Sequence, residues 1–141
     1  MLKDIDPILT GELLFLLDRM GHGDVLGLVD RNFPAHRYDV PVVDMRGSDT
    51  RTAARAILSV LPLDSFVPAP VRRMQIDGKP DEIHEVSGMV QELASSAEGR
   101  AITLQGVERF EFYRQAERAT VFVQTGETLG YSCYLLQKGV V

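Results

Sequence analysis

Apolar residues first recur at helical spacing near the amino end. Leu13, Leu14, Leu17 and Met20 share one face of a helix predicted from about Glu12 to Met20. Thr10 suits its N-cap, and Gly21 suits a left-handed residue just past its end. The pattern then changes to a continuous apolar run, Val25-Leu26-Gly27-Leu28-Val29, which reads as a buried strand ending at Asp30. Asn32 and Pro34 mark the next stretch, to His36, as a loop. A second strand is expected from Val40 to Met45. Ser48 or Asp49 then caps a helix through about Leu61, ended by Pro62. Val71 to Ile76 reads as a strand and Asp77-Gly78 as a turn. Pro80 fits the first turn of a helix reaching about Leu93, with Ile83, Val86, Val90 and Leu93 as its stripe. A short strand over Ala101–Leu104, a helix over Val107–Arg118, and strands over Ala119–Gln124 and Tyr131–Gln137 complete the reading.

Helices alternating with short apolar strands predict an α/β fold. The expected form is a single three-layer α/β/α domain over residues 1–141, with a mostly parallel or mixed central sheet. Ligands of open α/β sheets sit beyond the carboxyl ends of strands, which makes Asp30 a site candidate on topology alone.

Composition narrows the function classes. The chain has 141 residues, 45% hydrophobic and 25% charged, so it can bury a core without staples. Its net charge of −5 argues against a nucleic-acid footprint and against an anionic-membrane binder. No apolar run approaches the ~18 residues of a membrane helix, and the acidic, interrupted start is unlike a signal peptide. The one cysteine, Cys133, cannot form an internal disulfide, and a reducing, cytoplasmic setting fits. Without CxxC or a spaced Cys/His cluster, no metal site is expected. Phosphate-loop, dinucleotide, nucleophile-elbow and zinc-hydrolase signatures are missing too.

The densest polar segment is Gly21-His22-Gly23-Asp24. A histidine side chain in general suits proton transfer at working pH, yet a surface histidine beside a helix end has the same local pattern as His22. Asp30 could hold ligand hydroxyls or cap its own turn. His36 could be a second proton carrier or a plain loop residue. Arg109, in Glu108-Arg109-Phe110-Glu111-Phe112-Tyr113, could clamp a polar ligand through its planar fork. Tyr131 could bond or stack on a sugar, or pack in a strand. Cys133 has no histidine signature of a nucleophile beside it.

Taken together, Met20-Gly21-His22-Gly23-Asp24, then Asp30 with Phe33-Pro34-Ala35-His36, form a specific combination. Leu63-Asp64-Ser65-Phe66, Arg109-Phe110-Glu111-Phe112-Tyr113, Thr125-Gly126-Glu127 and Tyr131 with Leu135-Leu136-Gln137-Lys138-Gly139-Val140 extend it over nearly the whole chain. In these segments the sequence resembles the L-fucose mutarotase / D-ribose pyranase family, its fucose branch more than its ribose branch. The resemblance implies a cofactor-free isomerase that interconverts the anomers of a free monosaccharide. It implies His22 as catalytic acid and Asp30, Arg109 and Tyr131 as sugar ligands. Cys133 stands where the family's Tyr-Gly-Asn segment has asparagine. A thiol bonds more weakly than a carboxamide, so the preferred sugar is open to a change. Arg31, His36 and Tyr113 are further candidates near the same residues. The alternatives are a pentose pyranase and a non-catalytic sugar-binding or transport-accessory protein.

His22 precedes the first strand and Asp30 follows it. An extended chain would hold them roughly 26 Å apart at ~3.3 Å per residue, beyond the span of one hexose. The family's ring-like homo-oligomers, pentamer or decamer, offer a solution. The expectation is a site at a subunit boundary, with the Tyr131 strand arriving from the adjacent chain.

Overall fold

A computed structural model describes residues 1–141. Its elements in chain order are α1 (Gly11–Arg19), β1 (Val25–Val29), β2 (Val42–Met45), α2 (Thr50–Leu58), β3 (Val71–Met74), α3 (Glu85–Glu98), β4 (Gln105–Val107), α4 (Arg109–Ala116), β5 (Ala119–Thr125) and β6 (Tyr134–Gln137). Six strands form one sheet in the order β2-β5-β1-β6-β3-β4. β5 runs parallel to both β1 and β2, and β3 runs parallel to β4. Between these two parallel groups, β6 pairs antiparallel with β1 and with β3. The sheet is therefore mixed, and the α/β expectation holds.

Strand alternation divides the core. Leu26, Leu28, Val121, Val123, Tyr134 and Leu136 project to the face covered by α1, α2 and α3. Val25, Val29, Phe122, Cys133 and Leu135 project to the face covered by α4 and by the 3₁₀ turn at Ala35–Arg37. All five β1 residues are buried, as a continuous apolar run at the sheet centre requires. Gly27 is needed there. A Cβ on it would lie 2.3 Å from the buried Phe122 ring, which Phe33 and Tyr38 hold at centroid distances of 5.5 and 5.0 Å. Gly27→Ala is expected to destabilise the fold by about 1–3 kcal/mol through overpacking. A lowered denaturant midpoint at unchanged slope would register it, and an unchanged midpoint would contradict it.

Several predicted boundaries move, each for a local reason. α3 begins at Glu85, not near Pro80, because the His84 ring is its N-cap and accepts from the Ser87 N–H at 3.1 Å. Ile83 consequently falls outside the core stripe and is exposed, while Val86, Val90 and Ala94 form the stripe. Left-handed Gly99 ends the helix after Glu98. The strand expected at Ala101–Leu104 lies at Gln105–Val107 instead. The N–H groups of Ile102 and Leu104 are taken by the Ser95 and Gln91 side chains of α3, so they do not join the sheet. β6 begins at Tyr134 rather than Tyr131, because Tyr131 has φ +63° and breaks the extended run.

Candidate active site

Two polar centres flank β1, one at each end. The amino-side centre is built on the turn after α1. The Gly23 N–H donates to the Lys138 carbonyl at 2.8 Å and the Lys138 N–H to the Asp24 carbonyl at 2.8 Å. The Asp24 carboxylate accepts from the Gly21 N–H at 2.8 Å, and the Lys138 ammonium bonds the Met20 carbonyl. Gly23 sits at φ +87°, a region open to glycine and strained for most other residues. The turn is thus fixed by backbone and flanking groups, and none of its bonds uses the His22 ring.

That ring, 45% exposed, meets a carboxylate from a distant loop. His22 Nε2 lies 3.1 Å from Oδ1 of Asp64, whose side chain is almost wholly buried. Asp64 Oδ1 also accepts from the Phe66 N–H at 2.9 Å, and Oδ2 accepts from Gln137 Nε2 at 2.9 Å. Burial pushes the Asp64 carboxyl upward. The hydrogen bonds from the Phe66 N–H, His22 and Gln137 together outweigh burial and hold it below the usual carboxylate range. An ionised carboxylate only accepts, so Nε2 carries the hydrogen and Nδ1 is left for other chemistry. Gly139 allows the close approach, since a Cβ there would meet the Leu63 carbonyl oxygen at 2.6 Å and the Asp64 Cα at 2.8 Å. Phe66, 72% exposed, tilts against the imidazole at a centroid distance of 5.3 Å. His22 also borders a largely apolar groove of about 630 Å³ that runs past Leu2, Leu61 and Val140.

The carboxyl-side centre is a cavity of about 210 Å³ lined by Asp30, Asn32, Phe33, Met74, Arg109, Tyr113, Gly130, Tyr131 and Cys133. Asp30 follows β1 and is 6% exposed. Its Oδ1 accepts from the N–H groups of Asn32 and Phe33 at 2.9 and 3.0 Å, so it caps its own turn and still borders the cavity. Arg109, at the start of α4, donates from Nε to Asp77 Oδ2 at 2.9 Å. Its guanidinium lies 4.4 Å from the centroid of the Phe110 ring. The remaining face of its fork is therefore pre-oriented. Burial pushes the Cys133 thiol well above its ordinary range, and the Asp30 charge adds to this. Cys133 is a neutral wall residue here, not a nucleophile.

The sequence candidates sort accordingly. Asp30, Arg109, Tyr113, Tyr131 and Cys133 come together in one cavity of one protomer. The expectation that Tyr131 arrives from an adjacent chain is thereby corrected: β6 lies beside β1, so Tyr131 and Asp30 share the same end of the sheet. His22 stands apart, at the opposite end of β1. His36 lies in a separate cleft with Val42, Asp44, Arg46 and Gln124. Arg31 is exposed outside the cavity and contributes its N–H to the Glu127 carbonyl at 3.2 Å. Sequence reasoning did not assign Asp64 a role, although its segment was part of the resemblance. It also passed over Asn32, Phe33 and Met74 as lining residues. No three His, Cys, Asp or Glu side chains gather as a group able to hold a metal ion.

The class that fold and geometry define is a mixed-sheet α/β protein with a small carboxylate–guanidinium cavity and a separate, partly exposed His–Asp pair. Residues 3–141 match the model of the RbsD / FucU transport protein family. The L-fucose mutarotase of Glaesserella parasuis is 37% identical over 141 residues, covering 99% of this chain and 96% of that one. The human fucose mutarotase is 37% identical over 145 residues, with coverages of 99% and 94%. The solved structure of the fucose mutarotase from Streptococcus pneumoniae in complex with L-fucose superposes with a TM-score of 0.90 at 31% identity, covering 99% of each chain. The chain belongs to the RbsD / FucU family.

Proposed function

We propose that this protein is a cofactor-independent isomerase that interconverts the anomers of a free monosaccharide, L-fucose or a close relative. The full-length similarity to proteins named fucose mutarotases supports the reading. The observation that carries it is the His22 imidazole, partly exposed and held at Nε2 by a buried carboxylate. That is the arrangement of a proton carrier whose second nitrogen is free to act. Ring opening requires a proton delivered to the ring oxygen and another removed from the anomeric hydroxyl as the C1–O bond breaks. His22 supplies the first from Nδ1–H in its imidazolium form, whose positive charge the Asp64 carboxylate stabilises at Nε2. Asp30 takes the second from a sugar that Arg109 and Tyr131 hold. Closure on the opposite face of C1 returns both protons, so the cycle consumes nothing.

His22 and Asp30 occupy different cavities at opposite ends of β1. A site using both needs two chains. Joining one end of a protomer to the other end of the next is a head-to-tail contact, which closes into a ring when the rotation permits. The exposed Leu2, Phe66, Val140 and Val141 on the His22 side, and Phe110 and Leu129 on the other, supply apolar surface for it. The reading is a ring-like homo-oligomer, pentamer or decamer, with sites at subunit boundaries, working in the cytoplasm. No helix is long and apolar enough to cross a membrane.

Exchange spectroscopy by NMR with L-fucose, D-ribose and related sugars tests the activity. Enhanced anomer exchange in fucose is the expected result. Enhancement confined to pyranose–furanose exchange in ribose would favour a pyranase, and none at all would favour a binding protein. Cys133→Asn adds a strong donor and acceptor beside Asp30. It is expected to raise kcat/KM for L-fucose by about 10- to 100-fold, the equivalent of one recovered buried hydrogen bond. No gain in the same exchange assay would mean that no fucose hydroxyl faces this wall.

A further inference from the structure

Tyr131 is the one cavity-lining residue held at a backbone angle unfavourable to its type, φ +63°. A tyrosine persists there only when its surroundings over-determine it. Tyr131 itself packs against the core cluster that contains Phe33 and Cys133, whereas the loop that leads into it, from Thr128 to Gly130, is exposed. This loop is anchored by the half-buried Glu127, two residues past the end of β5. Glu127 Oε1 accepts from the N–H groups of Thr128 and Leu129, both at 2.9 Å. Its Oε2 lies 3.5 Å from the N–H of Thr50, the first residue of α2, where a negative charge is favoured by the helix dipole. Its backbone closes the circuit. The Glu127 N–H donates to Thr125 Oγ1 at 3.3 Å, and its carbonyl accepts the Arg31 N–H at 3.2 Å, directly after Asp30.

The geometry points to Glu127 as a positioning residue: it ties the Asp30 turn, the α2 terminus and the Tyr131 loop together, and so sets Tyr131 in the sugar cavity. The chain passes tightly against the turn after β2 just before this clamp, since a Cβ on Gly126 would meet the Arg46 carbonyl oxygen at 2.2 Å. Glu127 touches no part of the cavity itself. Its influence on catalysis runs through Tyr131, and the inference rests on the sugar-site reading proposed above.

A double-mutant cycle on the full-length chain tests it. Glu127→Ala, Tyr131→Ala and the double variant are compared by NMR anomer exchange with L-fucose, with folding followed by circular dichroism. Glu127→Ala is expected to lower kcat/KM on the order of 10- to 100-fold, mostly through KM, by letting the loop drift. In the Tyr131→Ala background the same change is expected to cost almost nothing, because nothing is left to position. Penalties that simply multiply would overturn the role. Glu127→Gln covers the case in which the alanine variant does not fold. It keeps one accepting oxygen and turns an amide donor toward either Thr50 or the loop, so a partial loss, again absent without Tyr131, is the expected result. A Gln variant with wild-type KM would also overturn it. An unaltered rate in Tyr131→Ala alone would instead strike at the sugar-site reading, leaving Glu127 nothing to serve.

Discussion

Replacing His22 with Ala is expected to slow anomer exchange by about 10²–10⁴-fold, the usual contribution of one positioned acid–base group. The fold should survive. The ring is partly exposed, makes one hydrogen bond to Asp64, and rests against Phe66. The turn around it is held by Gly23, Lys138 and the Asp24–Gly21 bond, none of which needs the imidazole. Asp64 keeps its bonds from the Phe66 N–H and from Gln137 when His22 is removed. A large rate loss with unchanged circular dichroism and unchanged sugar binding would therefore isolate the proton-transfer step. Wild-type exchange in this variant would mean that His22 is not the proton donor, whereas a rate no faster than that of the free sugar in both proteins would leave a sugar-binding module.

The carboxyl-side centre was largely legible in the sequence for a topological reason. Asp30 ends a continuous apolar run, and such a run at the middle of a sheet places its successor at a ligand-accepting edge. Arg109 was legible as a fork beside aromatics, and the structure adds the reason it stays aimed: the Asp77 carboxylate and the Phe110 face hold it from two sides. What the sequence could not disclose depends on contacts distant along the chain. Asp64 lies 42 residues from His22, and no local spacing announces a pair of that separation. The side of the sheet that Tyr131 occupies depends on β6 entering antiparallel between β1 and β3, which an alternation of helices and strands does not specify. The start of α3 was missed because a histidine replaces the usual capping residues, and the strand near Ala101 because side chains of α3 take its amide groups. In each case a tertiary partner overrode a local preference.

The Asp64–His22 pair yields the second large effect. Asp64→Asn removes the negative charge that stabilises a protonated imidazole, and leaves an amide whose orientation can favour the wrong ring tautomer. Exchange is expected to fall by on the order of 10²-fold, as for other partners that orient a working histidine. The fold responds in a distinct pH window. Because hydrogen bonds hold the Asp64 carboxyl below its ordinary value, the unfolded chain binds this proton more readily than the folded one. Its stabilisation is therefore fully present above the unfolded value, about 3.9, and disappears as pH falls through the lower folded value. Denaturation midpoints measured from neutral to acid pH should show the wild type losing its advantage over Asp64→Asn as the solution becomes strongly acidic. Parallel curves across that range would mean that Asp64 carries no depressed titration. A rate equal to wild type at neutral pH would mean that His22 orients itself without it, and the proton carrier would then have to be sought beyond this pair.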